Sequence, residues 1–458
     1  MDNLQDRRSL WSRLRLHPAR SREVIRLAYP VTLGMLSITL LNVVDTAMLG
    51  RLGSVPLAAA GISGVGYFTI VFSLAGIGIG VQTLSSRRYG EDNHAQCGEV
   101  LNAGVLLSLI GGLPFVFGGS WLAQAAAPLL SQDIEVVKLG EVYLHYRFLG
   151  APFLFLNMVF RGLYNGVGDT KQQMTSAILV TVANILLDYL LIFGHAGLPR
   201  MGIAGAAIAS TIATGLGTLY FVAIGLSHRY RRHFCLYRRP VRLFGWCVPI
   251  LRLSLPVIGQ RFIGYASFFA LFSIIARIGT LELAASNVIR SIYNLSIMPA
   301  FGIAIAAATL VGQRLGGGKP EESEGFAWEA AKLSAGVMGT VGLLFVAFPK
   351  GIFAIYTSDA AVIALGKLPL QLVGAIQAFG GVAIVLGQAL QGAGNTRFVM
   401  LVELAVCTLL YLPIAYLLGL QFNFGIVGAW SGELFYWLSV AVLMSWKFRQ
   451  GTWKTIRI

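Results

Sequence analysis

Long apolar segments follow one another along almost the whole chain, separated by short polar connections. Each segment is long enough to cross a bilayer as an α-helix, which takes about 20 apolar residues. The pattern predicts twelve spans near 24–50, 55–83, 100–121, 136–160, 172–194, 202–226, 248–276, 283–310, 329–349, 363–388, 397–419 and 425–447. We therefore expect an all-α membrane protein with twelve transmembrane helices.

The composition excludes a soluble protein of several domains. Of the 458 residues 56% are hydrophobic and only 12% are charged, whereas about 25% of the residues of a soluble domain are charged. The four cysteines, Cys97, Cys235, Cys247 and Cys407, are widely separated and lack the spacing of metal or redox motifs. We interpret them as free thiols.

The basic residues indicate how the chain is oriented. In the predicted map, 26 of the 35 Lys and Arg residues lie in the N-terminal arm, the even-numbered connections and the tail. Basic residues accumulate on the cytoplasmic side of membrane proteins, so both termini are predicted to be cytoplasmic. The basic stretch 228–242 is then a cytoplasmic linker rather than a nucleic-acid site. The Arg-rich segment 1–22 has no apolar core, so we interpret it as an arm and not as a cleavable signal.

The chain contains an internal repeat at the fixed offset that carries Leu27 onto Leu253. This shift places LAYPV (27–31) over LSLPV (253–257), RLGSVPLAA (51–59) over RIGTLELAA (277–285), and GVGDTK (166–171) over GAGNTR (392–397). Such a repeat predicts two homologous six-helix bundles related by a pseudo-two-fold axis normal to the membrane, because six crossings return the chain to its starting side. The predicted domains are an arm (1–23), an N-terminal bundle (24–226), a basic linker (227–247), a C-terminal bundle (248–447) and a tail (448–458).

A few acidic residues lie inside apolar segments, where an ionised carboxylate is costly and normally faces a partner or a cavity. Asp45 in the first span and Asp188 in the fifth are predicted at similar depth, and Asn184 precedes Asp188 by one helical turn. Two carboxylates and an amide can hold a proton or Na⁺, because oxygen ligands suit a hard cation. Alternatively, these groups only satisfy polar contacts between helices.

The repeat provides an internal comparison for this constellation. At the same offset Asp45, Asn184 and Asp188 correspond to Leu271, Leu410 and Ile414. The second half keeps the scaffold and lacks the polar residues, so the fold does not require them. This argues for an ion site in the N-terminal bundle alone.

In the second half, Glu433 is the best candidate for attracting a cationic substrate. The alternative is a carboxylate satisfied by Trp430 or Tyr436. Glu403 is predicted near the membrane interface. Gln260 and Asn287 are further candidates for substrate binding, although no spacing argument supports them.

The chain lacks HExxH, GxSxG and Walker motifs, so we expect no enzyme, no cofactor and no metal beyond a possible Na⁺ at Asp45, Asn184 and Asp188. The cleft between two six-helix bundles is instead a usual place for a transporter's substrate.

Three groups of motifs together resemble the multidrug and toxic compound extrusion (MATE) family. They are VVDTAMLGRLG with LAAAGI, RGLYNGVGDTK followed by NILLDYLLIFG, and MPAFGIAIAAATLVGQRLGGGKPEE with LQGAGNTR. The resemblance implies two six-helix lobes and efflux of cationic or amphipathic organic compounds in exchange for H⁺ or Na⁺. It also implies a location in the bacterial inner membrane. We expect a monomer in contact with membrane lipid, carrying a small organic substrate and binding no nucleic acid.

The resemblance further implies roles for single residues. Family members with an Asp in span one and Asn-x-x-x-Asp in span five use them for cation coupling, together with a hydroxyl in span six. The matching residues here are Asp45, Asn184 and Asp188, with Ser210 as the favoured hydroxyl and Thr211 or Thr214 as alternatives. Some branches place a coupling Glu eight residues after the proline of span seven, where this chain has Gly264.

Other interpretations compete with efflux by antiport. A flippase for lipid-linked saccharides would be expected to show a strongly cationic cleft, for which the sequence offers only Arg261 and Arg290. A membrane-embedded transferase would need a His or an Asp-rich phosphate-binding motif at a membrane face, and none is visible. An acid cluster in only one of two lobes fits a transporter that works by alternating access better than it fits a channel.

Overall fold

A computed structural model describes residues 16–236 and 243–458, and within these ranges the chain is helical and contains no β-strand. Positions 1–15 of the predicted arm and positions 237–242 of the predicted basic linker lie outside the described part. The apolar composition and the absence of water in a bilayer both favour helices, because a helix satisfies its own backbone hydrogen bonds.

The helices of the first half are α1 (Pro18–Gly50), α2 (Ser54–Tyr67), α3 (Ile77–Gly90), α4 (His94–Leu130), α5 (Ile134–Leu149), α6 (Ala151–Gly166), α7 (Thr170–Phe193), α8 (Ile203–Leu226) and α9 (His228–His233). Those of the second half are α10 (Leu243–Ile278), α11 (Thr280–Ser296), α12 (Met298–Gly316), α13 (Pro320–Ala347), α14 (Pro349–Ala354), α15 (Ala360–Gly392), α16 (Thr396–Val406), α17 (Leu412–Tyr416) and α18 (Gly425–Gln450). Turns of π-helix at Phe68–Phe72, Cys407–Tyr411 and Leu417–Gln421 extend α2, α16 and α17.

Eleven helical stretches of the described chain are long and apolar enough to cross a membrane, and they match eleven of the predicted spans. The fourth predicted span, 136–160, is divided at Gly150 into α5 and α6, each of 16 residues. Each is about 24 Å long at 1.5 Å per residue. The two helices together therefore supply the remaining crossing, and the fold is the all-α membrane architecture that the sequence predicted.

The internal repeat is visible in the backbone as well as in the sequence. Left-handed residues recur at the predicted repeat positions, with Asp92 and Gly318, Gly168 and Gly394, and Gly202 and Gly425 all at positive φ. The first two pairs have the same offset as Leu27 and Leu253, and the third pair has a slightly shorter one, which corresponds to a short deletion in the second half. The two halves therefore share their turns and not only their apolar spans.

The N-termini of α5 and α15 show the same duplication in side-chain hydrogen bonds. Asp133 accepts from the backbone N–H groups of residues 135 and 136 at 2.9 and 3.3 Å. Its repeat partner Asp359 accepts from those of residues 361 and 362 at 2.8 and 3.4 Å. The residue two positions earlier, Ser131 or Thr357, receives the N–H of the capping Asp at 3.2 Å in both halves. Both caps satisfy backbone donors that a helix N-terminus leaves unpaired.

The described residues pack into two compact units. The N-terminal unit contains 33–266, 394–400 and 457–458, and the C-terminal unit contains the chain up to Thr32, 267–393 and 401–456. Helices α1 and α10 thus contribute to both units. The predicted domain boundaries along the chain stay a prediction.

Close contacts explain why these two helices are divided. Within the C-terminal unit, a Cβ at Gly302 of α12 would collide with Thr32 of α1. Within the N-terminal unit, Ser254 of α10 donates a hydrogen bond to the carbonyl of Ile77 at 3.3 Å. A Cβ at Gly80 would meet the carbonyl oxygen of Ile250 at 2.8 Å, so only glycine permits this approach.

The duplicated caps predict matched losses of stability. We expect Asp133→Ala and Asp359→Ala each to destabilise the protein by about 1 kcal/mol, because each leaves two helix N–H groups without an acceptor. Thermal unfolding of the purified protein in detergent measures the effect, with Asp133→Asn and Asp359→Asn as controls that keep an acceptor oxygen. Equal melting temperatures for the Ala and Asn variants would contradict the capping role.

Candidate functional site

The candidate site lies in the N-terminal unit, where α1 approaches α7. A Cβ at Gly34 of α1 would lie 3.3 Å from the Cβ of Ala177 in α7, so the two helices are in van der Waals contact there. One turn further along α1, the hydroxyl oxygens of Ser37 and Thr181 are 3.5 Å apart. The polar contact between the two helices then continues to Asp45.

The structure brings together the three polar residues that the sequence predicted. The side-chain amide of Asn184 donates to Oδ2 of Asp188 at 2.6 Å, as their spacing of one helical turn requires. Asp188 is 0% exposed and Asn184 is 2% exposed, whereas Asp45 is partly buried. The carboxyl group of Asp45 lies within hydrogen-bonding range of that of Asp188.

The two carboxyl groups cannot satisfy each other as ions. Oδ1 of Asp45 and Oδ1 of Asp188 are both buried, and neither receives a hydrogen bond from a protein donor. Ionised carboxylates only accept hydrogen bonds, so their contact requires a proton on one of them or a cation between them. The arrangement can therefore bind H⁺ or a small cation that prefers oxygen ligands.

A guanidinium group that was not predicted from the sequence lies within electrostatic range of the carboxyl pair. Arg147 of α5 is within electrostatic range of both Asp45 and Asp188. Its guanidinium lies over the ring of Tyr67 in α2, with 4.4 Å between the guanidinium carbon and the ring centroid. Tyr143, one turn before Arg147 on α5, completes the surroundings of the site.

The signal for Arg147 is present in the sequence. An arginine inside the apolar segment 136–160 is as costly as an aspartate inside the first span, and it demands the same explanation. Arg147 was counted only as one of the nine basic residues outside the predicted cytoplasmic segments, so its position inside a span was not considered by itself.

The hydroxyl groups of α8 make backbone contacts. Thr211 donates to the carbonyl of Tyr146 at 2.9 Å, and Thr214 donates to the carbonyl of Ser210 at 2.7 Å. Among the described contacts, none joins the hydroxyl of Ser210 to the carboxyl pair. The role of Ser210 in ion coupling stays a prediction.

The C-terminal unit has two buried carboxylates of its own, Glu433 and Glu403, each 7% exposed. The hydroxyl of Tyr411 donates to Oε1 of Glu433 at 3.0 Å, and that of Tyr436 donates to Oε1 of Glu403 at 2.8 Å. Neither partner suggested for Glu433 from the sequence makes this contact, since Tyr436 bonds to Glu403 and Trp430 donates to Ser286 at 3.0 Å. Tyr436 and Cys407 cover the side chain of Glu403, and its position near the membrane interface stays a prediction.

The other two candidates for substrate binding lie in different units. Gln260 of α10 is half-buried in the N-terminal unit, and Asn287 of α11 is exposed in the C-terminal unit. Asn287 donates to the carbonyl of Leu283 in its own helix at 3.1 Å. Neighbouring arginines stack on aromatic rings, Arg261 on Phe72 and Arg290 on Phe272. Substrate binding by Glu433, Gln260 and Asn287 stays a prediction.

In the described part of the chain, no group of three or more His, Cys, Asp and Glu side chains could hold a metal ion. The site contains a carboxyl pair and an amide, with a guanidinium within electrostatic range.

Comparison with known proteins explains the duplication. The sequence profile of the MatE family matches the chain twice, at residues 30–190 and 256–417. The second match begins at residue 256, which is the repeat partner of residue 30, where the first match begins. The chain belongs to the MatE family. It is therefore an integral membrane transporter and not an enzyme, and it needs no cofactor.

Relatives of this MatE protein resemble it over nearly their full lengths. The probable multidrug resistance protein NorM of Thermotoga maritima is 27% identical over 449 residues, which cover 95% of this chain and 94% of that protein. The multidrug resistance protein NorM of Burkholderia vietnamiensis is 29% identical over 450 residues, covering 95% and 96%.

A solved structure supports the fold. A multidrug resistance MATE family transporter of the MOP superfamily, solved in an outward-facing conformation, superposes with a TM-score of 0.87. It is 21% identical in sequence, and the match covers 96% of this chain and 97% of that one. At this identity the likeness establishes the architecture of the MatE protein and leaves its site residues to be argued from their own contacts.

Proposed function

We propose that this MatE protein is a secondary antiporter that exports cationic or amphipathic organic compounds in exchange for H⁺ or Na⁺ by alternating access. The observation that carries the proposal is the contact between the carboxyl groups of Asp45 and Asp188, with Asn184 donating to Asp188. In each of these two buried carboxyl groups, one oxygen receives no hydrogen bond from the protein. Such a pair needs a cation, and the coupling ion would be that cation.

The asymmetry between the halves supports a dedicated ion site. Leu271, the repeat partner of Asp45, is 0% exposed, so an apolar side chain packs well at that position of the scaffold. Because the fold does not need Asp45, its polar group has a function other than helix packing. The ion site is accordingly assigned to the N-terminal unit.

The substrate class follows from the relatives and from charge. Two relatives that match nearly the whole chain are named as multidrug resistance proteins. A cationic compound would be attracted by the same carboxylates that bind the ion, which supplies a physical basis for exchange. Glu433, buried and held by Tyr411, is assigned to selectivity among cations in the C-terminal unit.

The orientation is proposed from the distribution of basic residues. The accumulation of Lys and Arg in the arm, the even-numbered connections and the tail favours cytoplasmic termini in a bacterial inner membrane. We infer a monomer, since each chain contains both halves of the repeat.

The carboxyl pair predicts the effect of conservative substitutions on coupling. Asp45→Asn and Asp188→Asn keep the side-chain volume and remove the charge, so both variants should insert normally and lose gradient-driven efflux. Drug accumulation in cells and flux in proteoliposomes measure this loss. The matched controls are Leu271→Met and Ile414→Leu at the repeat partners, which should retain coupling. An Asp188→Asn protein that still moves substrate against its gradient would refute the proposed ion site.

Exchange predicts antagonism between ion and substrate. If both neutralise the same carboxylates, each weakens the binding of the other by the same factor. The apparent affinity for a cationic substrate should therefore fall as pH falls, or as Na⁺ rises in a sodium-coupled protein. Calorimetric titration from mildly acidic to mildly alkaline pH, with and without Na⁺, tests this. Glu433→Gln should change the preference among cations and keep the antagonism. Substrate affinity independent of both ions would leave the carboxyl pair as structural packing.

The orientation can be tested with the cysteines. Cys235 follows α9 and is partly exposed, whereas Cys97, Cys247 and Cys407 are buried. In intact cells an impermeant thiol reagent should leave Cys235 unlabelled, and permeabilisation should reveal a signal that Cys235→Ser removes. Labelling from outside intact cells would reverse the proposed orientation.

A further inference from the structure

We propose that Arg147 is the resident counter-charge of the Asp45–Asp188 pair, and that it limits the N-terminal unit to one monovalent coupling ion per transport cycle. This inference rests on the proposed antiport function and adds a stoichiometry to it. It makes Arg147 a positioning residue, which acts on the ion through the carboxylates.

The position of Arg147 is set by an aromatic ring and not by a salt bridge. Its guanidinium carbon lies 4.4 Å from the ring centroid of Tyr67, a side chain that is 3% exposed. Within the described residues, no salt bridge joins it to Asp45 or Asp188. The guanidinium therefore acts on both carboxylates at a distance and leaves their oxygens free to bind an ion.

The groups around Arg147 show that its charge has no other partner. The charged or titratable side chains that face it are Asp45 from α1, Tyr67 from α2, Tyr143 from α5 and Asp188 from α7. Helices α4 and α8 also contact α5, through the neutral side chains of Ser120 and Thr211. Ser120 hydrogen-bonds to His145 at 2.9 Å, and Thr211 donates to a backbone carbonyl of α5. The two aspartates are thus the only acids of this set, and Nε of Arg147 is buried without an acceptor.

The charge balance then determines the number of ions. Arginine stays protonated in proteins, so the guanidinium contributes a permanent positive charge. With both carboxylates ionised the site has one net negative charge, and one H⁺ or one Na⁺ neutralises it. Without Arg147 the site would have two negative charges and would need two monovalent cations, because unpaired charge is costly in a medium of low dielectric constant.

The test is to count ions in variants that change the charge of the site. We expect wild-type protein in proteoliposomes to exchange one ion per singly charged substrate through this site, measured from the reversal potential of flux. Arg147→Gln should raise the coupling ratio from about one to about two and shift the midpoint of the pH dependence to higher pH, because the lost positive charge had opposed cation binding. Arg147→Lys keeps the charge and should keep both the ratio and the midpoint.

A charge-balanced double variant separates electrostatics from packing. Asp45→Asn alone leaves the negative charge of Asp188 balanced by the positive charge of Arg147, so it should lose ion binding. Combining Asp45→Asn with Arg147→Gln restores one net negative charge and should recover the binding of one proton or one ²²Na⁺ by purified protein. If the single variant Arg147→Gln fails to fold, the double variant shows whether the cause is unbalanced charge or lost packing. The double variant should fold if the cause is charge, and it should also fail to fold if Arg147 is needed for packing.

The outcomes also distinguish this inference from the proposed antiport. Three results would overturn the role of Arg147 and leave antiport intact. They are a wild-type coupling ratio of two, an unchanged ratio and midpoint in Arg147→Gln, and no recovery of ion binding in the double variant. Wild-type protein that moves substrate without any ion gradient overturns the antiport itself.

Discussion

The hydrocarbon of a bilayer offers no hydrogen bonds, and every polar group inside it must find its partner within the protein. This constraint makes the described chain helical. It also governs the side chains. The amide nitrogen of Asn157, for example, donates to the hydroxyl of Thr218 and to two backbone carbonyls of α6 and α8. The unpaired oxygens of Asp45 and Asp188 differ from those of neutral side chains, because they belong to groups that can ionise and then need a proton or another cation.

The features that depend on local sequence were predictable. Spans follow from runs of apolar residues, and the hydrogen bond between Asn184 and Asp188 follows from a spacing of one helical turn. The repeat was predictable because both halves keep the same turn residues, and the conformations at Gly168 and Gly394 agree. The division of the fourth span at Gly150 was missed, because α5 and α6 form one apolar run in the sequence, although Pro152 in the first turn of α6 is a local signal for a helix start.

Features that depend on contacts between helices distant in the sequence were predicted only in part or not at all. Asp45 and Asp188 could be placed at similar depth, but their contact depends on the packing of α1 on α7. Arg147 and Tyr67 lie far apart in the sequence, on α5 and α2, and no periodicity links them. Likewise the partner of Glu433 is Tyr411 rather than a residue of its own helix. Residue type and depth identify an unusual side chain, whereas tertiary packing decides which groups it contacts.

The π-helical turns near the end of the second half limit how far the repeat can be exchanged. Helix α7 is regular throughout, but its counterpart is interrupted at Cys407–Tyr411 and again at Leu417–Gln421. Each π-turn inserts a residue into the helical register and rotates the next part of the helix by about 100°. Leu410, the counterpart of the buried Asn184, is accordingly 37% exposed. Grafting Asn and Asp onto positions 410 and 414 would thus point them in directions unlike those of Asn184 and Asp188. The two halves therefore differ in backbone conformation as well as in side chains. Point substitutions alone would not make the second half equivalent to the first.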